Sequence, residues 1–280
     1  MPQISLVVCV YREADLLRRL LEHAEDCYDD LVVVHDGPDD SGVAALTGRH
    51  GGRFFERPRA YQQEPHWPFA WGEAKHDWIL RLDADEFPGT DMRQWLRQFR
   101  RRPEPPEPIS GYNFIWPLWD GQRARTRNWP LRACLFSRQR VRHIGMADQG
   151  PIPDGEFQTV AHILHHQPRR KSYGIRYTLL RPQMRRWQRE IARSLQGRPT
   201  DLPCWRWDSP HWPQKWEQIR RHPLRTAASR LVLSPIRNGM DMVRRGEFPW
   251  PGHLIEFPLQ HLMTCWAYYR ARRQAQRPPS

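Results

Sequence analysis

The sequence predicts an α/β fold on a largely parallel sheet, followed by a basic helical extension. Three observations carry this reading. Residues 4–10 and 31–34 are apolar runs with an amphipathic segment between them. A third run, 78–82, ends in three carboxylates within four residues. After about residue 170 the chain turns into arginine- and tryptophan-rich segments of helical spacing.

Taken in order, residues 4–10 form an uninterrupted, β-branched apolar run, the pattern of a strand covered on both faces. Leu16, Leu17, Leu20 and Leu21 then recur at i, i+1, i+4 and i+5, one face of a helix over 13–24. A second strand over 31–34 stops at His35-Asp36-Gly37-Pro38-Asp39-Asp40-Ser41-Gly42, a run of turn formers. A short helix over 43–50 and a strand over 53–56 follow, whereas 67–75 has no clear period. Residues 78–82 are a strand that runs into Asp83-Ala84-Asp85-Glu86. A helix over 91–102 is closed by the proline-rich stretch 103–108, and 109–119 and 131–136 read as strands of a less regular half. Residues 171–197, 214–246 and 253–273 show helical spacing, with Pro182 kinking the first, and 199–213 is a Pro- and Trp-rich loop. The expected division is a domain over 1–170 and a helical extension over 171–280.

The 280 residues are enough to bury a sizeable core, and 14 Trp argue for a packed chain rather than a disordered basic tail. Five cysteines (Cys9, Cys27, Cys134, Cys204 and Cys265), with no C-x-x-C pair, suggest neither a disulfide framework nor a zinc ribbon. A reducing, cytoplasmic location is expected. No apolar run reaches the ~18 residues of a spanning helix, so contact with a membrane would be peripheral, on its inner face. The formal charge of +13 hides an asymmetry: residues 1–100 hold 12 basic and 18 acidic side chains, and residues 101–280 hold 32 and 13. Arginine interleaved with Trp and Tyr suits an anionic membrane surface or a nucleic acid.

Ligands of open parallel sheets bind beyond the carboxyl ends of the strands. Glu13, Asp36, and Asp83 with Asp85 all follow such ends. The Asp-x-Asp pair sets two hard oxygen donors on one side of the chain, which suits Mg2+ or Mn2+ carrying a diphosphate. Arg132 lies among arginines suited to a diphosphate or an anionic acceptor. The cluster His162-Ile163-Leu164-His165-His166 has zinc-like spacing but lacks the glutamate of a metallohydrolase helix.

In order and spacing, Val8-Cys9-Val10-Tyr11-Arg12-Glu13, Val32-Val33-Val34-His35-Asp36-Gly37-Pro38-Asp39-Asp40 and Asp77-Trp78-Ile79-Leu80-Arg81-Leu82-Asp83-Ala84-Asp85-Glu86 resemble the family 2 glycosyltransferases of GT-A fold. Within them the chain is most similar to the bacterial lipopolysaccharide-core glucosyltransferase type. The resemblance implies a GT-A fold, a mixed Rossmann-like sheet with a C-terminal helical extension. It implies a nucleoside-diphosphate sugar donor, expected to be UDP-linked, and a saccharide or lipid-linked acceptor. Tyr11, Glu13 and Asp36 would hold the nucleoside, Asp83 would face the ribose or donor sugar, and Asp85 would ligate Mn2+ or Mg2+ on the diphosphate. His165, with His162 as alternative, would complete the metal shell, and Asp148, with Glu156 as alternative, would be the base of an inverting transfer. Arg12, Pro38-Asp39 and Asp148 stand where the family usually has asparagine, Ser-Thr and glutamate. The alternatives are a sugar nucleotidyltransferase, which would need a glycine-rich phosphate loop where Tyr11-Arg12-Glu13 stands, and a nucleic-acid-binding protein built on the basic half.

Overall fold

β1 (Ile4–Val10) and β2 (Asp30–Asp36) are buried along their whole length, as their apolar residues require when both faces of a sheet are covered, and the buried Ser5 hydroxyl donates to Asp30 Oδ2 at 2.8 Å. The computed structural model describes residues 1–143, 149–168, 214–249 and 251–275. The chain divides into two compact units, Met1–Lys171 and Ser172–Ser280. In the first, α1 (Ala14–Ala24) joins β1 to β2 and buries Leu16, Leu17, Leu20 and Leu21. Then come α2 (Val43–Arg49), β3 (Arg53–Arg57), α3 (Trp67–Glu73), β4 (Trp78–Leu82), β5 (Glu86–Pro88) and α4 (Thr90–Phe99). β6 (Ile109–Ile115) and β7 (Leu131–Ser137) follow, β8 (Val141–Arg142) and β9 (Ile152–Pro153) form a small ribbon, and β10 (Glu156–His166) returns to the main sheet.

The main sheet runs β3-β2-β1-β4-β7-β6-β10-β5. β3, β2, β1 and β4 are mutually parallel, with Val10 opposite His35, Asp36 opposite Arg57 and Val8 opposite Leu82. Their carboxyl ends therefore line one edge. β7 is antiparallel to β4 and β6, β10 is parallel to β6, and β5 is antiparallel to β10. Because only three residues separate β4 from β5, and β5 pairs with the last residues of β10, the ends of β4 and β10 meet at the 83–85 turn.

Successive strand residues feed opposite cores. Leu6 and Val8 pack with the α1 and α4 side, while Val7, Val32, Val34 and Ile79 pack with Trp67 and Trp71 of α3 and with Phe136. Each such aliphatic side chain contributes about 1.5–3 kcal/mol by leaving water. α3 had no legible period because it has only seven residues, and Trp67 and Trp71 set its buried face.

In the second unit the stretch read as one helix over 214–246 is two, α5 (Gln214–Arg221) and α6 (Pro223–Arg244), because Pro223 opens a new first turn. α7 (Pro251–Ala275) completes it. The helix expected over 171–197 and the loop over 199–213 lie outside the described residues. The mixed α/β sheet with a helical C-terminal part is the architecture that the GT-A resemblance implies. Among the described residues no helix is long and apolar enough to cross a membrane.

Candidate functional site

At the common edge of β1, β2 and β4, Asp36 is buried and fully engaged. Its Oδ1 accepts the Ala60 amide and a bond from His66 Nε2 at 2.9 Å, and its Oδ2 accepts the Tyr61 amide at 2.9 Å. Arg59 donates to the Asp36 carbonyl at 2.7 Å and lays its guanidinium over the Tyr11 ring. Asp36 thus pins the 59–66 loop beside Tyr11 and has both oxygens committed to it. Arg12 adopts a left-handed φ of 53°, a conformation costing a non-glycine residue about 1–2 kcal/mol. Its amide donates to His35 Nε2 at 3.3 Å, and the other ring nitrogen of the buried His35 lies 2.6 Å from the Gly37 carbonyl. Glu13 precedes α1 and accepts the Leu17 amide on its carbonyl at 2.8 Å.

The β4–β5 turn holds the densest charge. It closes with the Glu86 amide on the Asp83 carbonyl at 2.9 Å. Arg132, the second residue of β7, donates Nη2 to Asp83 Oδ2 at 2.8 Å and sets Nε 3.1 Å from Glu86 Oε1. Glu86 is fully buried, accepting the Asp83 amide at 2.8 Å and Trp116 Nε1 at 2.7 Å. Burial opposes a charge on Asp83, but the guanidiniums of Arg132 and Arg81 outweigh it and hold the carboxyl below its ordinary range. At Glu86 burial prevails and pushes the carboxyl up. The two acids, three residues apart, are thereby driven in opposite directions.

Asp85 is left partly exposed, its side chain at 19%, with Oδ2 3.4 Å from His166 Nε2. Its carbonyl accepts the Gln167 amide at 2.8 Å, which fastens the end of β10 to the turn. His166 stacks on Trp116 at 4.1 Å between centroids, and Arg132 lies 5.6 Å from the same ring centroid. Sequence reasoning gave no role to Glu86, Trp116 and His166: Glu86 reaches Asp83 within the turn, while Trp116, just after β6, and His166, the last residue of β10, are brought there by the sheet. It also passed over Arg81, whose one signal was a lone arginine inside an apolar strand. Arg81 is 3% exposed, donates to the Ala133 carbonyl at 3.2 Å and stands 4.1 Å from the Trp67 ring centroid, while its Nε and Nη1 have no hydrogen-bond partner.

Of the three histidines, the one brought to Asp85 is His166. The strand's alternation turns His165 the other way, half-buried near Asp91, Arg19 and His23, where burial lowers its basicity. His162 Nδ1 lies 3.2 Å from Asp91 Oδ2, which also accepts the Ile163 amide at 3.2 Å. Neither His165 nor His162 is at Asp85. Glu156 opens β10 at the opposite edge, its amide on the Pro108 carbonyl at 2.8 Å, and a strand of that length puts it about 30 Å from the turn. Asp148 lies outside the described residues.

Among the described residues no group of three or more His, Cys, Asp or Glu side chains is gathered to hold a metal ion. Asp85 and His166 nevertheless offer an oxygen and a nitrogen donor side by side. Mg2+ and Mn2+ commonly take one or two protein donors and fill the remaining shell with water and phosphate oxygens, so this pair fits a cation arriving with a diphosphate. His166 Nδ1 and Asp83 Oδ1 are buried without a hydrogen-bond partner, so the turn's polar groups are not all satisfied internally.

Residues 5–104 match the family model described as Glycosyl transferase family 2. That segment contains Tyr11, Asp36, Asp83 and Asp85 and ends before β6. Two solved structures are similar at low identity. S. aureus TarS 1-349 shares 11% identity at a TM-score of 0.40, covering 99% of this chain and 93% of that one. A CMP:2-keto-3-deoxy-manno-octonic acid synthetase complexed with CTP shares 12% identity at a TM-score of 0.32, covering 42% of this chain. The match spans 54% of the synthetase, about half its length. No curated protein matches the chain.

Proposed function

We propose that the chain is an inverting glycosyltransferase of the lipopolysaccharide-core glucosyltransferase type. It moves a sugar from a nucleoside-diphosphate donor, with UDP as the nucleotide, to a saccharide or lipid-linked acceptor in cell-surface polysaccharide synthesis at the cytoplasmic face. The observation that carries this reading is the Asp83–Asp85 turn within the family-matching segment. One carboxylate is committed to Arg132 and the other stands open beside His166, at the edge where four parallel strands end.

Departure of a nucleoside diphosphate builds negative charge, and Mn2+ or Mg2+ supplies Lewis-acid stabilisation of it when bound. Asp85 and His166 are the residues to hold that ion. Asp83, kept ionised by Arg132 and Arg81, accepts hydrogen bonds from donor hydroxyls. Tyr11, backed by Arg59, offers its ring to the nucleoside, and Asp36 shapes that wall through the 59–66 loop. An inverting transfer needs a base to take the acceptor hydroxyl proton as the oxygen attacks the anomeric carbon. Asp148 is the proposed base, since Glu156 stands at the wrong edge.

The test is turnover of UDP-sugars by purified protein. Release of UDP should require Mn2+ or Mg2+, stop with chelator and vanish in Asp85→Ala. Turnover indifferent to chelator would overturn the metal role.

A further inference from the structure

α6 has two unlike sides. Pro223, Thr226, Ala227 and Met242 are buried, while Val232, Leu233, Ile236, Met240 and Val243 are between 51% and 62% exposed. At ~100° per residue these five occupy a sector about 100° wide. Exposed Arg225 lies within that sector, and exposed Arg237 and Arg244 lie along its border. The one acidic residue of α6, Asp241, is turned off this face and engaged by Arg245 at 3.1 Å. At the start of the helix a cleft of about 560 Å³ gathers Arg225, Arg272, Arg273, His222 and Tyr269.

An apolar helix face edged by arginine suits three partners unequally. A second copy docking by two-fold symmetry would set the patch on itself and bring arginine against arginine. A nucleic acid would meet the arginines, but Val, Leu, Ile and Met offer it no stacking ring and no bond to base edges. An anionic bilayer answers both features, since aliphatic side chains enter the acyl boundary while guanidiniums stay with the headgroup phosphates. We propose that the outer face of α6 is a membrane-docking surface selective for anionic lipid, with the basic cleft at its amino end receiving a headgroup phosphate.

This goes beyond the transferase reading by naming the surface that meets the membrane. Vesicle binding is read without sugar nucleotide, so either proposal can fail while the other stands. The test is co-sedimentation of the full chain with phosphatidylcholine vesicles, with and without phosphatidylglycerol. Binding should require phosphatidylglycerol, weaken with salt, and fall at least about tenfold in Val232→Asp/Ile236→Asp and in Arg237→Glu/Arg244→Glu. Both variants change exposed positions, so circular dichroism should be unchanged. Wild-type protein that ignores anionic vesicles, or an aspartate variant that binds them undiminished, would overturn the proposal. So would a wild-type dimer that the aspartate substitutions convert to monomer.

Discussion

Arg132 Nη2 donates to Asp83 Oδ2 at 2.8 Å across 49 residues of sequence, tying β7 to the turn after β4. The same guanidinium stands 3.1 Å from the buried Glu86, so one cation answers two acids. Removing it strands both. Arg132→Leu is expected to cost about 2–4 kcal/mol in urea unfolding, less than for a fully buried ion pair because Arg132 and Asp83, unlike Glu86, keep some exposure. A loss under about 1 kcal/mol would mean that solvent already screens the pair.

His166, rather than His165, is next to Asp85, and the two differ only in which face of β10 they take. His166→Ala should weaken Mn2+ binding in the presence of UDP by at least about tenfold, and His165→Ala should leave it near wild type. Electron paramagnetic resonance of free Mn2+ during titration distinguishes the two. The reverse ranking would remove His166 from the site.

Arg81 is buried with two nitrogens unpartnered, an arrangement that costs stability. Replacing it with an apolar side chain of similar length relieves that cost while removing positive charge from beside Asp83. Arg81→Met should therefore melt at or above the wild-type temperature while kcat/KM falls about tenfold. A lower melting temperature with unchanged kcat/KM would make Arg81 purely structural.

Asp39 acts as a cap for α2 from four residues before Val43, accepting the Ala44 amide at 2.8 Å and the Ser41 amide and hydroxyl at 2.9 Å. Burial favours protonation, but these bonds outweigh it and hold the carboxyl at about 2 against an ordinary 3.8. A lowered folded-state value means stability that is full above about pH 4 and lost as pH falls towards 2. Asp39→Ala should cost about 1 kcal/mol at pH 6. Unfolding titrations should show the gap between variant and wild type closing below pH 4.

The half of the site built on β1, β2 and β4 was legible because each strand is buried on both faces, so the apolar run visibly gives way at its end, to Tyr11, to His35-Asp36 and to Asp83. The half built on β5 and β10 was not. β5 is three residues with a proline, too short for any period, and β10 is half-exposed over its first residues and shifts register twice against β6. His166 belongs to the site only through the pairing of those two strands, which local pattern does not encode, whereas Glu86 reaches Asp83 within the turn itself. The role of Asp36 was read one step too directly: its place at the strand end was visible, but the loop amides that consume its oxygens come from 24 and 25 residues downstream.

The most direct test of the account is thermal unfolding of wild type and Asp85→Ala against UDP-, GDP-, dTDP- and CMP-sugars with and without Mn2+. A ligand at a hundred times its Kd stabilises the fold by about 2.7 kcal/mol, a shift of several degrees. The account predicts such a shift in wild type for a UDP-sugar with Mn2+ together, and its loss in Asp85→Ala. An equal shift in Asp85→Ala, or none with any sugar nucleotide, would contradict it.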